Sequence, residues 1–176
     1  MLYQSTYDAP IGQLLLVSDL ESLKGIWFLG QKYFRASLKE EAQDRDDFPI
    51  LAQTKAWLDR YLAGDQPEPG ELQLAPDGTA FRQEVWKILL EIPYGQTMSY
   101  GEIAGLMAKK RGLDRMSARA VGGAVGHNPI SIVIPCHRVI GADGSLTGFG
   151  GGLPRKTWLL QHEGVFSGRP HELNSI

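Results

Sequence analysis

Across residues 1–29 the apolar positions come in short blocks separated by turn formers. Ser5-Thr6-Tyr7 and Gln13-Leu14-Leu15-Leu16-Val17 flank Ala9-Pro10-Ile11-Gly12, and Gly25-Ile26-Trp27-Phe28-Leu29 follows. Short runs rich in β-branched and aromatic residues, bounded by proline and glycine, read as strands of a small antiparallel sheet. An acidic stretch from Glu40 to Asp47 comes next. Pro49 then opens a helix to about Ala63. Leu51, Ala52, Lys55, Leu58, Asp59 and Leu62 fall at helical spacing, and Gly64 stands where a C-cap belongs.

The second half has a different rhythm. Thr79 caps a helix that turns Phe81, Val85, Ile88 and Leu89 inward and stops before Pro93-Tyr94-Gly95. Ser99-Tyr100-Gly101-Glu102 matches a capping box and starts a short helix to about Met107. After the basic loop Lys109-Lys110-Arg111-Gly112, Ser117 caps Ala118-Arg119-Ala120-Val121-Gly122-Gly123-Ala124-Val125, which ends at Gly126-His127-Asn128-Pro129. Two short helices joined by a basic loop resemble a helix-turn-helix, although small residues in a helix equally signal tight packing. Ile130-Ser131-Ile132-Val133-Ile134 reads as a β-rich run that breaks at Pro135-Cys136-His137-Arg138-Val139. A glycine-rich loop, Gly141 to Gly152, leads to a helix opened by Pro154 and closed near His162.

These elements predict an α+β protein. Residues 1–65 form a small α/β domain with a short antiparallel sheet. The proline- and glycine-rich stretch 66–78 is the linker. Residues 79–165 form a mostly helical domain with a winged-helix-like helix-turn-helix and the cysteine turn. Residues 166–176 are a tail.

Charge sharpens the division. Residues 1–79 carry a net of −6 and residues 80–165 a net of +4, an asymmetry compatible with a DNA-facing second half or with ordinary scatter. The single cysteine excludes an internal disulfide and a cysteine-rich zinc site, so the chain suits a reducing cytoplasm and no metal is expected. No apolar run is long enough to span a bilayer and the start does not read as a signal peptide, so no membrane partner is expected.

The chemistry centres on Pro135-Cys136-His137. The proline places the cysteine at a bend, and a thiolate is favoured by a nearby histidine. Two readings stand from these residues alone: a reactive thiol, and a buried structural cysteine packed as a small hydrophobe. Neighbouring side chains in an extended strand point to opposite faces, so a working pair needs a bend or an intervening water.

The wider pattern resembles one family, the O6-alkylguanine-DNA alkyltransferases, or methylated-DNA–protein-cysteine S-methyltransferases. The likeness runs through most of 79–164. It is carried by Gly95-Gln96-Thr97-Met98-Ser99-Tyr100, Ala118 to Ala124, Asn128-Pro129, Ile134-Pro135-Cys136-His137-Arg138-Val139, Gly151-Gly152-Leu153 and His162-Glu163-Gly164. The resemblance implies that Cys136 accepts the alkyl group, that Glu163 orients His137, and that His137 takes the thiol proton through a water. It implies a hinge at Asn128, an intercalating arginine at Arg119, and close approach to DNA along Ser99, Ala118, Ala120 and Gly122. Tyr100 is implied both beside the 3′ phosphate and as a donor to the guanine. Val139, Phe149, Gly150, Gly151 and Lys156 line the implied pocket. Many relatives have tyrosine and serine where this chain has Phe149 and Gly150, which bears on the range of alkyl groups admitted.

The expected reaction is a single, irreversible transfer from O6-alkylguanine in double-stranded DNA to Cys136 after nucleotide flipping, with no cofactor. O4-alkylthymine is left open as a second lesion. The expected protein is a cytoplasmic monomer, nucleoid-associated if bacterial. The main alternative is a non-catalytic lesion-binding relative, which would lack the acceptor cysteine. A helix-turn-helix regulator would read base edges with polar side chains, and a Cys-His hydrolase would have no use for Arg119.

Overall fold

The computed structural model describes residues 1–165, so the expected tail lies outside the described residues. The described protein is α+β and divides into two compact units: Met1–Gly78 with Pro129–Val133, and Thr79–Asn128 with residues 134–165.

In the first unit, β1 (Leu2–Ala9), β2 (Gly12–Ser18) and β3 (Leu23–Phe28) form an antiparallel meander. A short β4 (Ala42–Asp44) adds in parallel beside β1, giving the order β3-β2-β1-β4. The acidic stretch hid this strand, because its pairing depends on β1 and not on its own composition. β2 is buried along Leu14–Val17, so both faces of the sheet are covered. Leu15 and Val17 pack with Leu2 and Trp27 beneath Phe34, Leu38 and Ala42. Helix α1 (Pro49–Leu62) packs on the same sheet and buries Leu51, Trp57, Leu58 and Tyr61. Gly25 is required here: a Cβ at that position would stand 2.0 Å from the Trp27 ring.

The stretch 66–78 differs from a free linker. Leu23 N–H donates to Gln73 O, Ala75 N–H donates to Leu23 O, and Trp57 Nε1 donates to Glu68 O. Proline and glycine shape its turns, and these long-range bonds hold it in the first unit. Ile130–Ile134 also differs from a strand. Only Ile130 forms a bridge, with Ile26, before the backbone turns through Ile132 at φ 72°. Its apolar residues mark burial and not extension, since all five positions are buried.

In the second unit, α2 (Ala80–Leu90), α3 (Tyr100–Lys110) and α4 (Ala118–Gly126) pack together. Thr79, Ser99 and Ser117 cap them by accepting the N–H of Arg82, Glu102 and Ala120. Trp86 Nε1 donates to Ala124 O at 2.9 Å, fixing α2 against α4. A two-stranded parallel pair, β5 (Met98–Ser99) with β6 (Val139–Ile140), joins the start of α3 to the segment after the cysteine. Helix α5 (Leu153–His162) completes the unit.

Candidate active site

Cys136, His137 and Arg138 form one 3-10 turn, and all three are buried. The turn supplies the bend that two adjacent side chains need in order to serve one site. Pro135 stands at its start with ψ 64°, which ends the preceding segment. Asn128, two residues beyond α4, donates through Nδ2 to Ile134 O at 2.8 Å and so holds the approach to the turn.

Burial pushes the Cys136 thiol up, while the Asn128 side chain and the Lys156 ammonium favour the thiolate. The net direction is upward, so the resting thiol keeps its proton. His137 is its neighbour in the turn. Its Nε2 lies 2.6 Å from Glu163 Oε2, whereas its Nδ1 is buried and bonded to no protein group among the described residues. Burial lowers the His137 value, opposed by Glu163, so the ring is neutral. A neutral ring that donates Nε2–H to a carboxylate carries its lone pair on Nδ1.

Glu163 caps α5 and is also buried. Burial alone raises its carboxyl, but His137 and Arg138 together hold it well below the usual carboxylate range. Arg138 grips both oxygens, Nε to Oε1 at 2.8 Å and Nη2 to Oε2 at 3.1 Å, and its Nη1 donates to Ile92 O at 2.7 Å. Gly95 N–H adds a fourth donor, 3.1 Å from Oε1. The sequence pattern contained Arg138 without giving it a part. Its signal was an arginine in a mostly apolar stretch, which must find a partner once buried.

Lys156 is wholly buried on α5 and donates to the carbonyls of Val139 and Thr147. Burial brings its ammonium down to about 8. Tyr100, at the first turn of α3, donates its hydroxyl to the same Thr147 O at 2.8 Å, and burial raises that hydroxyl to about 12. Thr147 therefore ties the glycine-rich loop to both α3 and α5, which its exposed, polar sequence context did not announce. Val139 is buried on β6, while Phe149, Gly150 and Gly151 are half-buried where the loop turns into α5.

On α4 the side chains of Ala118, Arg119 and Ala120 are exposed, and Gly122 lies over the Tyr100 ring. Ser99 Oγ accepts the Glu102 N–H as the α3 cap. The structure thus gathers Cys136, His137, Glu163, Asn128, Lys156, Val139 and Tyr100 around one turn. Arg119, Ala118 and Ala120 remain on an open helix face.

Two family descriptions match nearly the whole chain: "6-O-methylguanine DNA methyltransferase, ribonuclease-like domain" over residues 2–76, and "6-O-methylguanine DNA methyltransferase, DNA binding domain" over 80–165. The chain belongs to the 6-O-methylguanine DNA methyltransferase family. A Haemophilus influenzae methylated-DNA–protein-cysteine methyltransferase is 42% identical over 164 residues, covering 93% of this chain and 87% of the relative. One from Mycobacterium bovis is 45% identical over 163 residues and covers 93% of each chain. Among solved structures, Mycobacterium tuberculosis OGT in complex with DNA superposes with a TM-score of 0.76 at 43% identity, covering 92% of this chain and 93% of that one. Among the described residues no helix is long and apolar enough to cross a membrane, and no three His, Cys, Asp or Glu side chains gather as metal ligands.

Proposed function

We propose that this member of the family repairs double-stranded DNA by moving the alkyl group of O6-alkylguanine onto Cys136. Family membership and relatives named methylated-DNA–protein-cysteine methyltransferases carry the activity, and the DNA complex of a 43% identical relative carries the partner. What supports the residue assignment is the buried turn itself: Cys136 and His137 side by side, His137 Nδ1 bonded to no protein group among the described residues, and its Nε2 2.6 Å from the Glu163 carboxylate.

The steps follow from that order of groups. The flipped nucleotide brings its O6-alkyl carbon to Cys136 Sγ. His137 Nδ1 receives the thiol proton through a water, since it makes no direct bond to the protein among the described residues. The C–S bond forms as the C–O6 bond breaks, and the electron pair leaves with the guanine. The proton that guanine takes up balances the one given up by the thiol. Tyr100 retains its hydroxyl proton at neutral pH, and turning that proton from Thr147 O toward the departing ring lets it donate there. A thioether is not reduced by thiols, so each molecule acts once. Arg119 on the open face of α4 fills the gap left by the extruded nucleotide, and the protein acts as a monomer.

Intact mass after incubation with a duplex containing O6-methylguanine tests the proposal. A gain of one methyl group, complete at one equivalent and absent in Cys136→Ala, is the expected result. Tight lesion binding without a mass gain would instead make the protein a lesion-recognition factor.

A further inference from the structure

We propose that Arg138 is a positioning residue for the transfer: its guanidinium takes up the Glu163 carboxylate charge so that His137 stands as a neutral imidazole. The inference rests on the relay reading of Cys136, His137 and Glu163 given above.

A lone buried carboxylate beside an imidazole favours the imidazolium, because an ion pair gains most where water is excluded. Here the carboxylate charge is already met. Arg138 binds both oxygens, at 2.8 and 3.1 Å, and Gly95 N–H reaches Oε1 at 3.1 Å. Arg138 cannot swing away, since Nη1 is fixed on Ile92 O and its guanidinium lies over the Tyr94 ring, 5.7 Å from the centroid. The Arg138–Glu163 pair is neutral as a unit. A proton on His137 would add an uncompensated charge in a place where neither its side chain nor that of Glu163 reaches solvent.

The other charged and titratable groups around the ring act in the same direction or stand apart. From α5, Lys156 places a second cation toward His137. From the same turn, Cys136 is protonated at rest. Tyr94 keeps its proton, because burial and the nearby Glu163 raise its hydroxyl. The neutral ring then has one arrangement open to it, Nε2–H toward Glu163 and the lone pair on Nδ1. Glu163 thus orients the base, and Arg138 keeps it uncharged.

Single-turnover rates of methyl transfer from an O6-methylguanine duplex, measured from about pH 5 to about pH 9, test this for the wild type, Arg138→Met and Arg138→Lys. In the wild type the acid limb should fall below the ordinary histidine value of about 6.5. In Arg138→Met it should move up by about one pH unit or more, a loss that approaches about tenfold on the acid side of both limbs, beyond any change in the plateau. Arg138→Lys, which keeps the charge, should bring the limb back toward the wild type. A uniform loss at every pH in Arg138→Met would overturn the proposal and leave Arg138 a structural residue. If Arg138→Met fails to fold, the 15N shifts of His137 in the wild type decide. A neutral ring with its proton on Nε2 at pH 7 is expected, and a charged ring overturns the proposal. His137→Gln separates the two levels: full wild-type transfer in that variant would overturn the relay reading and this inference together.

Discussion

His137 Nε2 and Glu163 Oε2 stand 2.6 Å apart, and neither side chain has any solvent-exposed surface. The two residues are 26 positions apart, so their contact joins the cysteine turn to the end of α5. Glu163 holds His137 and Arg138 at once, which makes it both a part of the site and a part of the fold.

Glu163→Gln should therefore destabilise the protein, by about 3–5 kcal/mol at neutral pH, because it leaves Arg138 buried without its counter-charge. The loss should depend on pH with a definite sign. The folded carboxyl is held well below its ordinary range, with burial opposing and His137 and Arg138 prevailing. Its contribution is full above the unfolded value of about 4.3 and disappears as pH falls toward the folded value. Denaturant unfolding of both proteins should give a wild-type advantage that is constant near neutrality and shrinks in acid. An advantage independent of pH would show that folding does not lower this carboxyl's pKa.

Lys156→Met tests the opposite sign. Burial lowers the folded ammonium from 10.5 to about 8. Between those values the unfolded chain holds a proton that the folded chain has released, so this group makes stability rise with pH. Comparing unfolding free energies of wild type and variant across that window cancels the tyrosines common to both. The wild type should gain on the variant as the solution becomes alkaline. The same variant should slow methyl transfer at neutral pH, since it removes a cation that favours the Cys136 thiolate.

Gly148→Ala should loosen the loop that carries Phe149 and Gly150. Gly148 has φ +70°, and a Cβ there would stand 3.1 Å from the Tyr100 hydroxyl. Strain of this kind costs about 1–3 kcal/mol, and relief requires moving Tyr100 or the loop. Thermal unfolding should show the loss, and methyl transfer should slow.

Arg119→Ala should separate folding from DNA handling. The side chain is exposed on α4. Stability should stay within about 0.5 kcal/mol of the wild type. Transfer from duplex O6-methylguanine should fall at least about tenfold, roughly the loss of one good contact at the transition state. Transfer from free O6-methylguanine base, which needs no flipping, should be unchanged. Equal losses on both substrates would remove Arg119 from the flipping step.

Much of this protein could be read from local pattern. The β1–β2 hairpin, α1 after Pro49, and the helices capped by Thr79, Ser99 and Ser117 depend on residues close together in the chain, where turn chemistry and capping act. The Pro135-Cys136-His137-Arg138-Val139 string and Glu163 pointed to one family and to one reaction.

Other features were decided only when distant segments met. Pairing with β1 makes a strand of the acidic Ala42–Asp44, which its composition disguised. Bonds from Leu23 bring the proline-rich stretch into the first unit, and burial turns the apolar Ile130–Ile134 run back on itself at Ile132. The ionisation of the site belongs to this second group. Sequence could name Cys136, His137 and Glu163, but their charges depend on desolvation and on Arg138, Lys156 and Thr147, which come together only in the fold. Capping and turns are contests among neighbours along the chain. Burial and ion pairing are set by whatever the rest of the chain packs around a group, so the tertiary structure alone determines which of these side chains hold their protons.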